Sequence, residues 1–174
     1  VGTYTVTYTA IDSTGNNATP VTRTVNVIDT QAPILTLLGA NPQIISMGNS
    51  YIEFGSIVND NIDVGLVATS NSSSVNTSVV GSYTVTYSVT DTSGNVATSS
   101  RIVNVIDTTA PVITITGSST LSIVVGGVYT ELGAVALDVV DGNFAATSTG
   151  TVDTATIGTY TITYGATDAA GNVA

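Results

Sequence analysis

One block occurs three times in this chain of 174 residues, and it confines the fold more than any other feature. The copies are residues 1–16, 80–95 and 157–172. Each sets Tyr, a branched aliphatic residue and Tyr at alternate positions (Tyr4, Val6, Tyr8; Tyr83, Val85, Tyr87; Tyr160, Ile162, Tyr164), then breaks at Asp-x-x-Gly-Asn. The sequence between the copies repeats as well. Tyr51 matches Tyr129 at an offset of 129 − 51 = 78, and Glu53/Glu131, Gly55/Gly133, Asp60/Asp138 and Asp63/Asp141 keep that offset. So do Asp29-Thr-Gln-Ala-Pro33 and Asp107-Thr-Thr-Ala-Pro111. A period near 78 residues is too long for one turn of a solenoid and suits an independently folding β-sandwich.

The offsets divide the chain into the C-terminal strands of one repeat (1–29), a whole repeat (30–107) and a repeat without its final strand (108–174). An array continuing in both directions accounts for this division. The alternative is an assembling subunit, in which the strand at 19–28 completes the unfinished repeat of a neighbour.

Strict alternation over 3–10 predicts a half-buried strand, with Tyr4, Val6, Tyr8 and Ala10 toward a core and the threonines toward solvent. Tyr83 and Tyr160 take the same place, and 159–165 is expected as a strand too. The Asp-x-x-Gly-Asn segments are turns, since Gly takes positive φ without strain and Asn tolerates it. Return strands follow at 22–28 and 96–106. Pro33 lacks an N–H and extends the residue before it, so the linker at 29–33 reads as short and stiff. Further strand pieces are expected at 34–38, 43–46, 51–55, 56–58 and 66–70, and helical periodicity is found nowhere. The reading is all-β, with about seven strands per repeat.

Twelve acidic residues face two basic ones, Arg23 and Arg101, for a formal net charge of −10. No basic patch for a nucleic acid can be built from that, and an anionic membrane surface would repel the chain. No apolar run reaches the length of a membrane helix, so no membrane insertion is expected. The chain has no Cys and no His. Disulfides and thiolate or imidazole metal sites are therefore excluded, whereas a hard, oxygen-loving cation such as calcium suits the carboxylates. With no His, Cys or Lys to act as base or activated nucleophile, the expectation is that the chain is not an enzyme. Asp60/Asp63 could pass for a catalytic carboxylate pair, but the pair returns as Asp138/Asp141, which suits a structural loop better.

The combination of Asp107-Thr-Thr-Ala-Pro-Val-Ile-Thr-Ile115, Tyr129-Thr-Glu-Leu-Gly-Ala134, residues 138–142, Gly158-Thr-Tyr-Thr-Ile-Thr-Tyr164 and Thr167-Asp-Ala-Ala-Gly-Asn172 resembles the tandem immunoglobulin-like repeats of large bacterial cell-surface proteins. The resemblance covers the whole chain. It implies export to the cell surface and a spacer, display or adhesive role, as in adhesin stalks and surface layers. The middle repeat departs from the Asp-Gly of its acidic loop, reading Asp63-Val64-Gly65.

Each repeat carries acids at three loop positions: the linker (Asp29, Asp107), the acidic loop (Asp60, Asp63, Asp138, Asp141) and the turn after the long strand (Asp12, Asp91, Asp168). Sandwich loops collect at the two ends of the domain, so the three can converge, and calcium takes six to eight oxygens of this kind. These nine aspartates are the candidate calcium ligands. A plainer reading stands beside it, because turns favour Asp and Asn on their own account. The function expected is a structural spacer in an extracellular stalk, surface layer or filament, its partners the neighbouring repeats of the same or an identical chain. The alternatives are an adhesive module for a surface carbohydrate or protein receptor, and a self-assembling filament subunit.

Overall fold

The repeated strand forms wherever the sequence supplies a partner for it, and its three copies differ accordingly. The computed structural model describes residues 1–174. It contains strands and one 3-10 turn at Ser72–Ser74, with no α-helix. Strand β1 (Gly2–Tyr8) pairs antiparallel with β2 (Val21–Val27) from Gly2↔Val27 to Tyr8↔Val21. In the next repeat β3 (Ile34–Leu37) pairs with β5 (Ser56–Asn59). A four-stranded sheet runs in the order β4 (Gln43–Ser46), β8 (Val96–Ile106), β7 (Gly81–Thr90), β6 (Thr69–Ser70). The last repeat has a three-stranded sheet of β11 (Gly142–Ala145), β10 (Ala134–Asp138) and β9 (Val112–Ile115). Its second sheet is the pair β12 (Thr147–Thr149) and β13 (Thr163–Gly165).

The contacts divide the chain into two compact units. One comprises Val1–Gln43, Ile52–Val75 and Thr84–Ile102; the other comprises Ile44–Tyr51, Asn76–Tyr83 and Val103–Ala174. In the first unit Val85, Tyr87 and Val89 alternate into the core, as the pattern predicts. Tyr87 meets Arg101, whose side chain is fully buried. In the second, the core holds Ile45, Val103, Val105, Ala134, Ala136 and Ala166.

Several expectations are corrected. Tyr4, Val6 and Tyr8 are exposed, not core; β1 and β2 pair only with each other, so pairing alone does not bury the apolar face. Ala10 is exposed as well. The strand expected at 159–165 contracts to Thr163–Gly165, since β12 is its sole partner and spans three residues. Tyr160, in the unpaired part, is exposed. The strand expected at 66–70 is only Thr69–Ser70, and 51–55 is a loop, closed by the Gly55 N–H donating to Glu53 Oε1 at 2.7 Å.

Candidate metal centres

Register brings the linker to the acidic loop. Ile34, at the start of β3, lies opposite Asn59, at the end of β5, so Asp60 emerges beside the 29–33 linker. Leu137 lies opposite Val112 in the last repeat, and this sets Asp138 beside the 107–111 linker. The turn after the long strand is the third component. Gly15, Gly94 and Gly171 hold φ of 90, 92 and 92°, which only Gly adopts cheaply. That conformation lets Asp91 take its own loop in hand. Its Oδ1 accepts the N–H groups of Ser93 (2.9 Å) and Asn95 (2.7 Å), and its Oδ2 accepts Asn95 Nδ2 (2.7 Å). Asp168 repeats the pattern on Asn172, at 2.7 Å for both backbone and side chain. Asn95 Nδ2 also reaches the Asp29 carbonyl at 3.5 Å, joining turn to linker.

The outcome is two aspartate triads, Asp29/Asp60/Asp91 and Asp107/Asp138/Asp168, in each of which one carboxylate oxygen per residue lies within 4.8 Å of the others. The first triad belongs wholly to the first compact unit and the second to the second. In each linker and acidic-loop aspartate, one oxygen fixes the local backbone. Asp29 Oδ1 accepts the Gln31 N–H and Asp107 Oδ1 the Thr109 N–H. Asp60 Oδ2 accepts from Ile62 and Asp63, and Asp138 Oδ1 from Val140 and Asp141. The other oxygen of all four, Asp29 Oδ2, Asp60 Oδ1, Asp107 Oδ2 and Asp138 Oδ2, is buried without a hydrogen-bond partner.

Three of the nine candidates stand outside the triads. Asp63 accepts the Thr92 N–H and hydroxyl, and Asp141 accepts the Ala169 N–H; both latch the acidic loop to the turn. Asp12 is exposed and spends both oxygens on Thr14 and Asn16. Those donors, the Asn16 N–H first, hold its carboxyl far below the usual carboxylate range. Asp138 is likewise lowered, by the N–H groups of Asp141 and then Val140. At Asp91 burial works to raise the pKa, but the donors of Asn95, Ser93 and Gly94 together outweigh it.

A second constellation escaped the sequence reading. Arg101 Nε donates to the Tyr87 hydroxyl at 3.2 Å, and its Nη atoms donate to the carbonyls of Ala40 (3.1 Å) and Leu38. The guanidinium lies 5.3 Å from the Phe54 ring centroid. Tyr87 donates in turn to Glu53. Burial, then this acceptor, pushes the Tyr87 hydroxyl up. In the last repeat Glu131 accepts from both Tyr129 and Tyr164. The available signal was Arg23-Thr-Val-Asn-Val-Ile-Asp29 against Arg101-Ile-Val-Asn-Val-Ile-Asp107, which places both basic residues at one offset of 78.

Comparison with known proteins places the chain in a family. The model for the bacterial surface protein Ig-like domain matches twice, at residues 35–105 and 113–174. An uncharacterized 81.3 kDa protein of Acholeplasma phage L2 is 29% identical, over 99% of this chain and 25% of its own length. Hyalin of Strongylocentrotus purpuratus is 30% identical, over 100% of this chain and 16% of its own length. The chain thus spans a quarter or less of these relatives. Among solved structures, the lipoprotein BT2262 of Bacteroides thetaiotaomicron matches 60% of this chain and 54% of its own, with 21% identity and a TM-score of 0.37. No helix is long and apolar enough to cross a membrane. With its family model matched twice in succession, the chain belongs to the bacterial surface protein Ig-like domain family.

Proposed function

We propose that the chain is a structural spacer of an extracellular assembly, its repeats joined by short, stiff linkers. The linker carries this reading. Strand β8 ends at Ile106 and β9 begins at Val112, and the residues between them are tied down. Asp107 closes a turn on the Thr109 N–H, and Pro111 is buried. The linker at 29–33 repeats both features, with Gln31 and Pro33. A tether that needed freedom would be rich in Gly and Ser. Backbone 15N relaxation tests the proposal: amides of 108–110 are expected to show order parameters near those of rigid strands, about 0.85. Values below about 0.6 there would end it. Saturable binding of a surface glycan or matrix protein would move the assignment to an adhesive module.

A second reading, assembly by strand exchange between copies, has its own observation. A groove of about 670 Å³ in the last repeat is lined by Ile115, Glu131, Tyr160, Ile162 and Tyr164 among others. Glu131 meets two tyrosines there, where the preceding repeat adds Arg101. The exposed β2 carries the matching Arg23. Sedimentation equilibrium discriminates: association that Arg23→Glu abolishes supports exchange, and a monomer at all concentrations opposes it.

A further inference from the structure

We infer that the two aspartate triads are calcium sites, one at the root of each linker: Asp29/Asp60/Asp91 and Asp107/Asp138/Asp168. An acidic cluster alone would not carry this. The second observation is the state of the oxygens. Asp107 and Asp138 are 8% and 3% exposed, and each has a buried oxygen that no donor reaches. Buried polar atoms ordinarily find a partner, and carboxylates more than any. In each of these two carboxylates the opposite oxygen accepts the local N–H groups, and the free oxygen is left bare. The third observation is recurrence. The first triad has the same two orphaned positions, on the linker and acidic-loop aspartates, at an offset of 78 residues from the second. Two loops with different sequences, Asp60-Asn-Ile-Asp-Val-Gly65 and Asp138-Val-Val-Asp-Gly-Asn143, arrive at one arrangement.

The chemistry selects the ion. All side-chain donors are carboxylate oxygens, which suit a hard cation. Two oxygens on opposite sides of one Ca²⁺ are separated by about 4.6–5.2 Å, twice its usual bond length. The triad oxygens, within 4.8 Å of one another, fit on that sphere. Mg²⁺ demands near-ideal octahedral geometry and resists dehydration, which suits an all-protein carboxylate site poorly. Each site joins the linker to two loops of the repeat that follows it, so a bound ion would fix the direction in which the chain enters that repeat. The sites stand on their own geometry and would persist in an adhesive module, so their failure and the failure of the spacer reading are separate outcomes.

Calorimetric titration of the whole chain with CaCl₂, after stripping with EDTA, tests the inference. Two ions per chain are expected, at about 0.1–1 mM as in extracellular modules. At a hundred times Kd each site should raise the folded-to-unfolded ratio about 100-fold, read as a higher Tm. Asp60→Asn and Asp138→Asn should each lower the stoichiometry to one. Each amide oxygen can still accept the local N–H groups, so in EDTA neither variant should melt below the parent, since each relieves a like-charge contact. Asp153→Asn, outside the triads, should leave two. Fewer than two ions on the parent, an equal response to Mg²⁺, or full stoichiometry in Asp138→Asn would overturn it.

Discussion

Arg101 and Arg23 occupy one position in two copies of the same strand and have opposite surroundings. Arg101 is fully buried, with donors on two carbonyls and the Tyr87 hydroxyl and its plane against Phe54. Arg23 is exposed, 5.8 Å from the Tyr8 ring centroid. Replacing Arg101 by Met keeps the apolar stem and leaves Leu38 O, Ala40 O and the Glu53–Tyr87 pair without their donor. Removing one member of such a buried charged network costs about 3–5 kcal/mol. Arg23→Met should stay within about 0.5 kcal/mol, as exposed substitutions do. Urea unfolding of the two variants measures the contrast, and equal effects would refute it. Glu131 sets a second residue-scale test. Its acceptance of the Tyr164 hydroxyl pushes that group from 10.0 up to about 12. Tyr129 is raised by the same partner, and the two hydroxyls in turn lower Glu131. A raised tyrosine stabilises the fold fully below its unfolded pKa near 10, and loses that contribution as pH rises through about 12. The lowered Glu131 stabilises above its unfolded value and loses the contribution as pH falls through the folded one. Ultraviolet titration should show the Tyr164 transition near 12, and Glu131→Gln should return it toward 10.

At the level of the element, the same alternating pattern yields a strand of seven residues in β1, ten in β7 and three in β13. Local preference is alike in the three, so pairing decides the length. β7 lies between β8 and β6, β1 pairs with β2 alone, and β13 has only β12. This is why the strand and its turn were legible in the sequence while the burial of Tyr4 and Tyr160 was not. Alternation says which residues share a face, and a second layer must exist for that face to be a core. The comparison predicts hydrogen-exchange behaviour. Amides of 84–90 should be among the slowest in the chain, and those of 159–162 should exchange at nearly free rates. Protection of 159–162 would contradict the account.

For the whole molecule, charge placement matters more than charge count. The formal net charge is −10, and six of the twelve acids sit in the two triads. The sequence placed acids at three loops per repeat but could not say which oxygens would meet. Asp60 and Asp63 are equally acidic and three residues apart, yet only Asp60 joins a triad, because Asp63 is drawn off by Thr92. That choice depends on side-chain direction across a loop, which spacing does not encode. Two kinds of repulsion follow. The dispersed acids repel one another through solvent and are screened by any salt, with a Debye length of about 10 Å at 0.1 M. The triads are closely spaced and four of their oxygens are buried, and monovalent ions screen such groups poorly. Thermal unfolding should therefore respond little to about 30 mM NaCl and strongly to about 10 mM CaCl₂, which has the same ionic strength. In an Asp60→Asn/Asp138→Asn double variant the NaCl response should remain while the calcium excess disappears. If NaCl matched CaCl₂ in the parent chain, the stabilisation would be general screening, and the triads would have no special part in it.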